Sequence, residues 1–434
     1  MVFVHFLLLH LPFGMNSRSV ILPTLEIFKT QVITNDPFIP SHNAHHQGTK
    51  MTTSSGANSV AEMERLAKEK VDKKSPIFWS FINLGTGDRQ TFEESLRAFK
   101  RYRFQPRILS AKRQRSTFTT VLGQPIAIPI GISPAAGYSF LHADGDANAG
   151  RAAARAGTVK ILTSVGDLPI EDFAAMVPED GLYWAQTYLF KDRRNTLHIV
   201  RNAERLGFKA IVVTVDSPVE HKASGSNQNI EDGFKNIHLK TPAANIRYIG
   251  GKKRDFAQQH SIPELWKSDQ LAHKETFCFG DWDELAWLKS ETKLPIVLKG
   301  VLTADSARKA AAFGVAGILV SAHGGRQLDG SPAPLEALPE IVDALKDTKV
   351  EVYMDGGIRT GNDVVKALAL GARAVFIGRP ALYGSAVNGE DGVYQVLKIL
   401  EKELTTCMSL CGCSSLQELD RSLVKHESEF HSKL

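Results

Sequence analysis

A histidine and an arginine stand three residues apart in one glycine-bearing turn, Ser321-Ala-His-Gly-Gly-Arg326. An imidazole and a guanidinium on one loop suit an acidic substrate, because arginine can hold a carboxylate while histidine accepts a proton. Asp216 follows another apolar run and could orient His323 and stabilise its protonated form. A histidine taken alone is more often structural, so the prediction of a catalytic role for His323 depends on these neighbours.

Other charged and glycine residues predict an anion site nearby. Lys299 ends an apolar run, where a buried cation is costly unless it faces an anion such as a reduced cofactor ring; pairing with a neighbouring carboxylate is the alternative. The turns Asp355-Gly-Gly-Ile-Arg359 and Gly378-Arg379 offer glycine amides beside guanidinium groups. This combination binds phosphate after the last two strands of an α/β barrel.

Eight short apolar runs, separated by helical patterns, must position these residues. The runs cover residues 126–132, 159–163, 182–186, 210–214, 296–299, 317–321, 350–354 and 374–377. Helices are predicted over 144–156, 193–206, 303–313 and 363–370, and each is followed by glycine, the usual residue just past a helix end. The alternation predicts an α/β fold, a (β/α)8 TIM barrel, with an N-terminal helical segment and a long loop (219–281) after strand four. Polar residues at seven of the eight run ends would then meet at the C-terminal mouth.

Composition and chain ends limit the class of protein. The 434 residues carry a net charge of +5 and four cysteines, which calls for neither nucleic acid nor a disulfide scaffold. Residues 1–50 are predicted to be an unstructured leader or a gene-model extension, with no membrane span. The barrel domain is expected over 55–425, followed by an exposed tail, 426–434. That tail ends in Ser432-Lys433-Leu434, the tripeptide read by the peroxisomal import receptor.

Four motifs together resemble the FMN-dependent 2-hydroxy-acid oxidase and dehydrogenase family, which includes glycolate oxidase. They are the lysine strand (residues 294–301), the histidine signature (321–329) and the two phosphate turns (355–359 and 377–380). The similarity extends from about Glu62 to Leu419. Other FMN barrels share the phosphate turns but lack the His-x-x-Arg turn.

The resemblance implies a role for each matching position. His323 would be the base with Asp216 as its partner, and Arg326, Tyr188, Phe81 and Val165 would face the substrate. The implied FMN-binding residues are Pro134, Ala135, Ala136, Thr163, Gln186, Thr214, Lys299, Ser321, Asp355, Gly357, Arg359, Gly378 and Arg379, with no metal. The implied reaction oxidises a 2-hydroxy acid to the 2-oxo acid and reduces O2 to H2O2. The resemblance also implies a homo-oligomer, commonly a tetramer, and a peroxide product fits the peroxisomal location that the C-terminal tripeptide predicts.

The chain departs from the family pattern on the substrate side. Phe81 stands where a tyrosine is expected, Val165 where a tryptophan is expected, Ala223 where an arginine is expected and Ala322 where an asparagine is expected. A larger pocket with a weaker hold on small acids would follow, so we expect a medium- or long-chain, or otherwise bulky, (S)-2-hydroxy acid as the best substrate. The alternatives are a dehydrogenase with another electron acceptor, a flavin-binding protein with little catalysis, or another FMN barrel.

Overall fold

Eight parallel strands close into a barrel in the computed structural model, which describes residues 56–110, 115–166, 168–218 and 280–431, together with the backbone of 248–249 and 252–253. The strands are β1 (Tyr102–Phe104), β2 (Thr119–Val121), β3 (Gln124–Ile126), β4 (Ile130–Ile132), β5 (Val159–Leu162), β6 (Leu182–Thr187), β7 (Ile211–Thr214), β8 (Tyr248–Ile249), β9 (Lys252–Lys253), β10 (Ile296–Val301), β11 (Gly317–Val320), β12 (Glu351–Asp355), β13 (Ala374–Ile377) and β14 (Val424–His426). The barrel order is β4-β5-β6-β7-β10-β11-β12-β13, and β13 pairs with β4. The predicted (β/α)8 barrel is therefore confirmed.

Helices cover the outside of the barrel. They are α1 (Val60–Lys74), α2 (Pro76–Ile82), α3 (Gln90–Arg101), α4 (Tyr138–Leu141), α5 (Asp146–Arg155), α6 (Ile170–Met176), α7 (Arg193–Arg205), α8 (Trp282–Glu291), α9 (Ala304–Ala312), α10 (Pro334–Leu345), α11 (Gly361–Ala369), α12 (Arg379–Leu410) and α13 (Ser428–His431). The four predicted helices correspond to α5, α7, α9 and α11. None of the helices in these ranges is both long and apolar enough to cross a membrane.

The first predicted strand was partly wrong. The run 126–132 divides into β3, which pairs antiparallel with β2, and the barrel strand β4. Pro129 lies between them, and proline has no backbone N–H to donate to a sheet. The β2–β3 hairpin turns through Leu122 and Gly123, both at positive φ, as two-residue hairpins require.

The barrel is filled by side chains, so it is a packed core and not a pore. Trp184, Tyr353 and Phe376 lie fully buried inside it, with ring centroids 5.6–5.8 Å apart. Val121 and Ile126 of the hairpin belong to the same buried cluster. Within the described residues, the hairpin packs against the end of the barrel where the strands begin, and a cavity lies at the other end, where the strands terminate.

The N-terminal helical segment leads the chain to that open end. Val60, Met63, Ala67 and Val71 bury one face of α1, whose first turn is capped when the Ser59 hydroxyl accepts a hydrogen bond from the N–H of Glu62. Helices α2 and α3 then bring residues 81–92 to the strand ends. At the other end of the chain, β14 pairs antiparallel with β1.

Little of the long segment after the fourth barrel strand, β7, is described. Tyr248–Ile249 pairs antiparallel with Lys252–Lys253. The leader (1–50), most of the loop 219–281, Ala223 and Ser432-Lys433-Leu434 lie outside the described residues.

Candidate active site

The strand ends surround a cavity of about 300 Å³ at the barrel mouth. Most predicted site residues line it: Phe81, Pro134, Ala135, Ala136, Thr163, Val165, Gln186, Tyr188, Thr214, Lys299, His323, Arg326, Asp355, Gly357, Arg359, Gly378 and Arg379. Two are not among the lining residues. Ser321 instead accepts a hydrogen bond from the N–H of His323 at 3.1 Å, and Asp216 lies behind the imidazole.

His323 and Asp216 form a hydrogen-bonded pair across the mouth. His323 Nδ1 donates to Asp216 Oδ1 at 2.7 Å, although the two residues are 107 positions apart. Burial alone would raise the pKa of Asp216, but His323, Lys299 and a hydrogen bond from Ser217 lower it to about 2. The carboxylate is therefore ionised at neutral pH, and the imidazole keeps Nε2 for a molecule in the cavity.

The backbone at His323 is strained in a way that aims its ring. Its φ is +53°, and Gly324 and Gly325 follow at +66° and +73°. A left-handed residue with a side chain costs of order 1–3 kcal/mol and persists only where surrounding contacts enforce it. Here those contacts are the hydrogen bonds to Asp216 and Ser321.

Lys299 serves both predicted environments at once. Its side chain is buried, lines the cavity and places Nζ 4.0 Å from Asp216 Oδ2. The sequence alternatives, a cation beside a cofactor ring and a cation paired with a carboxylate, are thus compatible in this geometry.

This charge arrangement makes a stability prediction. Because the folded-state pKa of Asp216 lies below its unfolded value of about 3.9, its stabilisation is complete above about pH 5 and disappears as pH falls toward 2. We expect Asp216→Asn to lower the free energy of unfolding by about 2 kcal/mol at pH 7 and by much less near pH 2.5. Urea unfolding at the two pH values measures this, and an equal loss at both would contradict it.

Arg326 is a partly buried cation beside the histidine. Nη1 donates to the carbonyl oxygen of Phe81 at 2.8 Å, and the guanidinium carbon lies 4.8 Å from the centre of the Phe81 ring. Burial lowers the pKa of Arg326 to about 10, partly offset by Tyr188, so the group stays cationic at pH 7. Burial, and then the Asp216 charge, raise the pKa of Tyr188, which remains a neutral phenol.

The far side of the cavity carries two more guanidinium groups, Arg359 and Arg379. Burial, followed by repulsion from Arg326 and Arg359, lowers the pKa of Arg379 to about 9. Much of the Arg379 side chain is committed to the protein: Nε donates to Ile82, and Nη2 donates to Leu84 and Gly324. Arg359 Nη1 donates to its neighbouring carbonyl, that of Ile358. Together with Arg326, these two guanidinium groups around one cavity favour an anionic occupant.

The residues present fit FMN. A Cβ at Gly357 would lie 1.9 Å from the Ser95 carbonyl, so this close backbone turn requires glycine. Asp355 Oδ2 accepts from Ser133, while the buried Oδ1 has no partner among the described residues and suits a ligand hydroxyl. Gln186 Nε2 donates to Thr214 at 3.0 Å, and its Oε1 accepts from Thr163 at 3.3 Å; this row of polar groups matches the edge of a flavin ring.

Sequence reasoning missed three polar residues near the site. Ser133 holds Asp355, and Ser217 donates to Asp216 Oδ1 at 3.2 Å. Gln327 in turn donates to Ser217 at 2.7 Å. The available signal was adjacency, since each directly precedes or follows a residue already selected. Of the substituted positions, Phe81 and Val165 line the cavity, whereas Ala322 is buried away from it.

The fold and the site together define an α/β barrel whose cationic cavity fits FMN and an anionic ligand. A family model described as FMN-dependent dehydrogenase matches residues 67–426. Mouse 2-hydroxyacid oxidase 2 is 42% identical over 84% of this chain and 98% of its own. The peroxisomal (S)-2-hydroxyacid oxidase of Arabidopsis thaliana is 38% identical over 87% of this chain and 99% of its own. A solved mandelate oxidase, in complex with (S)-4-hydroxymandelic acid, superposes with a TM-score of 0.74 at 34% identity, over 85% of this chain and 98% of that one.

The chain belongs to the FMN-dependent dehydrogenase family. FMN is accordingly its cofactor, and the prediction of an oxidoreductase that acts on 2-hydroxy acids is confirmed at the level of class.

Proposed function

We propose that the protein oxidises bulky (S)-2-hydroxy acids to 2-oxo acids and passes the electrons to O2, which becomes H2O2. The observation that carries this proposal is that His323, joined to Asp216 at 2.7 Å, lines the same cavity as the guanidinium of Arg326. One two-electron oxidation of R-CHOH-COO⁻ balances one two-electron reduction of O2, and the two hydrogens lost by the substrate appear in the peroxide. FMN supplies the two-electron acceptor between the two half-reactions.

The protein's own groups bind and orient the acid. Arg326 holds the substrate carboxylate by charge-assisted hydrogen bonds, and the phenolic hydroxyl of Tyr188 donates a hydrogen bond to the substrate. His323 Nε2 accepts a proton from the substrate, and Asp216 stabilises the resulting imidazolium through Nδ1. Lys299 would place its positive charge beside the FMN ring, which becomes negative when it accepts electrons from the substrate. The remaining proposed FMN contacts come from three groups of residues. These are the polar side chains at the proposed ring edge (Thr163, Gln186 and Thr214), the glycines of the two phosphate turns (Gly357 and Gly378) and the two arginines of those turns (Arg359 and Arg379).

The proposed preference for bulky acids is supported by two side chains that line the cavity. Phe81 has an apolar ring without the tyrosine hydroxyl that could bind a small substrate's carboxylate. Val165 occupies less space than the tryptophan expected at its position, which leaves room for a larger substrate. We expect kcat/KM for long-chain or aromatic 2-hydroxy acids to exceed that for glycolate at least tenfold, since each added methylene in an apolar pocket is worth roughly 1–3 kcal/mol. The measurement is initial rates across a panel of acids of increasing size, with Val165→Trp as the variant that should erase the preference. Efficient turnover of glycolate alone would contradict the expectation.

Peroxide yield separates the competing functions. One H2O2 per 2-oxo acid formed, on purified FMN-loaded protein, supports the oxidase. Oxidation that depends on an added dye and yields no peroxide would indicate a dehydrogenase with another acceptor. A yellow protein that no acid bleaches anaerobically would indicate flavin binding without catalysis.

We further propose a peroxisomal location and a homotetrameric assembly. The support for location is the terminal Ser432-Lys433-Leu434 and a 38% identical relative whose name is peroxisomal. A peroxide-forming enzyme also suits a compartment that destroys peroxide. The support for the assembly is family resemblance.

A further inference from the structure

The turn that carries His323 and Arg326 is attached to the N-terminal helical segment. We call residues 321–331 the histidine turn and residues 81–92 the capping segment. The N–H of Thr86 donates to Gly325 at 2.9 Å, and the Thr91 hydroxyl donates to Ser331 at 3.1 Å. The Arg326–Phe81 hydrogen bond connects the same two stretches, which are about 240 positions apart in the chain.

The carboxylate of Asp329 sits at the centre of this attachment. Its Oδ1 accepts from the N–H of Thr91 at 2.9 Å, and its Oδ2 accepts from the N–H of Gln90 at 3.3 Å. These are the first two residues of α3, whose own N-cap residue, Arg89, provides no side-chain hydrogen bond. Asp329 therefore caps α3 from the histidine turn, satisfying N–H groups that a helix start leaves without partners.

The histidine turn and the capping segment approach each other closely at two glycines. A Cβ at Gly87, which has a φ of +53°, would lie 2.6 Å from Asp329 Oδ2. A Cβ at Gly325, which has a φ of +73°, would lie 2.7 Å from the backbone of Phe92. The two stretches can thus approach this closely only because both glycines lack side chains.

His323 and Arg326 depend on this attachment to different degrees. Asp216, which follows strand β7, holds His323 independently of the capping segment. Arg326 instead donates to the Phe81 carbonyl, so a displacement of the capping segment moves its hydrogen-bond partner. Loosening the attachment should disturb carboxylate binding more than proton transfer.

We infer that Asp329 is a positioning residue for substrate binding: by capping α3 it fixes the capping segment against the histidine turn and so sets the orientation of Arg326. This inference rests on the proposed function of Arg326 as the carboxylate clamp. It assigns to Asp329 a role in affinity for the acid, in addition to its stabilisation of a helix.

The test is Asp329→Asn, in which an amide NH2 faces a backbone N–H that formerly donated to an oxygen. We expect KM to rise about tenfold, equivalent to about 1.4 kcal/mol, while kcat stays within about threefold. The dissociation constant of oxalate, a carboxylate that cannot be oxidised as a 2-hydroxy acid, should rise by a similar factor, measured from the flavin absorbance of the FMN-loaded enzyme.

Asp281→Asn is the matched control. Asp281 Oδ1 also accepts two backbone N–H groups at a helix start, those of Asp283 and Glu284, at 3.0 and 2.9 Å. Both variants should lose thermal stability, but only Asp329→Asn should raise KM and weaken oxalate binding. If Asp329→Asn loses stability with KM and oxalate affinity unchanged, the inference is overturned and Asp329 is only a helix cap.

His323→Ala in the same assay separates this result from the proposed function. Loss of oxidation in His323→Ala, with Asp329→Asn behaving like Asp281→Asn, would overturn the inference alone. Undiminished oxidation in His323→Ala would overturn the proposed function, whatever Asp329→Asn does.

Discussion

Replacing His323 with alanine should lower kcat by about 10²–10⁴-fold, because a positioned general base contributes a factor of that size. The imidazole is the group that pairs with the ionised Asp216 and keeps Nε2 toward the cavity. Its removal leaves Asp216 too far back to replace it, since the carboxylate does not line the cavity. Stopped-flow reduction of the flavin under anaerobic conditions measures the effect on the step concerned, free of the reaction with oxygen.

Two controls distinguish lost chemistry from lost cofactor. FMN content should be unchanged in His323→Ala, because the hydrogen bond that the His323 side chain makes among the described residues goes to Asp216 and not to a phosphate turn. His426→Ala changes a histidine of β14, whose Nδ1 lies 2.8 Å from the hydroxyl of Ser428, and should leave the rate unaltered. The double variant His323→Ala/Asp216→Asn should be little slower than His323→Ala, as expected for residues that act as a unit. Multiplicative losses would show that Asp216 acts independently of the histidine.

The barrel could be predicted from sequence because parallel strands covered on both faces appear as apolar runs. The ends of those runs also located the site, since all such ends meet at one mouth. The first predicted strand was wrong at Pro129, where the run divides into β3 and β4. Because proline has no N–H to donate, its presence in the run already indicated a break. The apolar runs could not show which distant residue or backbone group forms a hydrogen bond with each polar side chain of the site.

The partners that remained hidden are distant in sequence or belong to the backbone. Arg379 matched a phosphate motif, yet three of its hydrogen bonds go to carbonyl oxygens of Ile82, Leu84 and Gly324. Any residue type offers such a carbonyl, so no side-chain pattern indicates the contact. Asp329 caps a helix from about 240 positions away, whereas local capping motifs span only a few residues.

The positive charges at the barrel mouth explain the importance of the Asp216 carboxylate. Lys299, Arg326, Arg359 and Arg379 bring four cations to the cavity, and Asp216 is the acid that faces His323 and Lys299. The excess of positive charge favours an anionic substrate and cofactor, while Asp216 keeps the histidine from being surrounded by cations alone. The cations that favour the acid and the carboxylate that pairs with His323 therefore lie side by side, with Lys299 Nζ 4.0 Å from Asp216 Oδ2.

Replacing Arg326 with methionine should lower kcat/KM by about 10²–10⁴-fold, because two hydrogen bonds to a charged group at 1.5–3 kcal/mol each would be lost. Methionine fills similar space without charge, so the change tests the guanidinium and not packing alone. Arg326→Lys should recover part of the loss, since it restores the charge but not the planar pair of donors. The measurement is steady-state kinetics with a bulky 2-hydroxy acid for all three proteins.

The sharpest control replaces the carboxylate of the substrate with a neutral amide. If Arg326 binds the carboxylate, the wild-type protein should favour the acid strongly, and Arg326→Met should bring acid and amide to similar kcat/KM. The amide itself should be almost indifferent to the substitution. An equal loss on acid and amide would mean that Arg326 acts by holding the Phe81 carbonyl in place, and that the carboxylate is bound by Lys299 or Tyr188 instead.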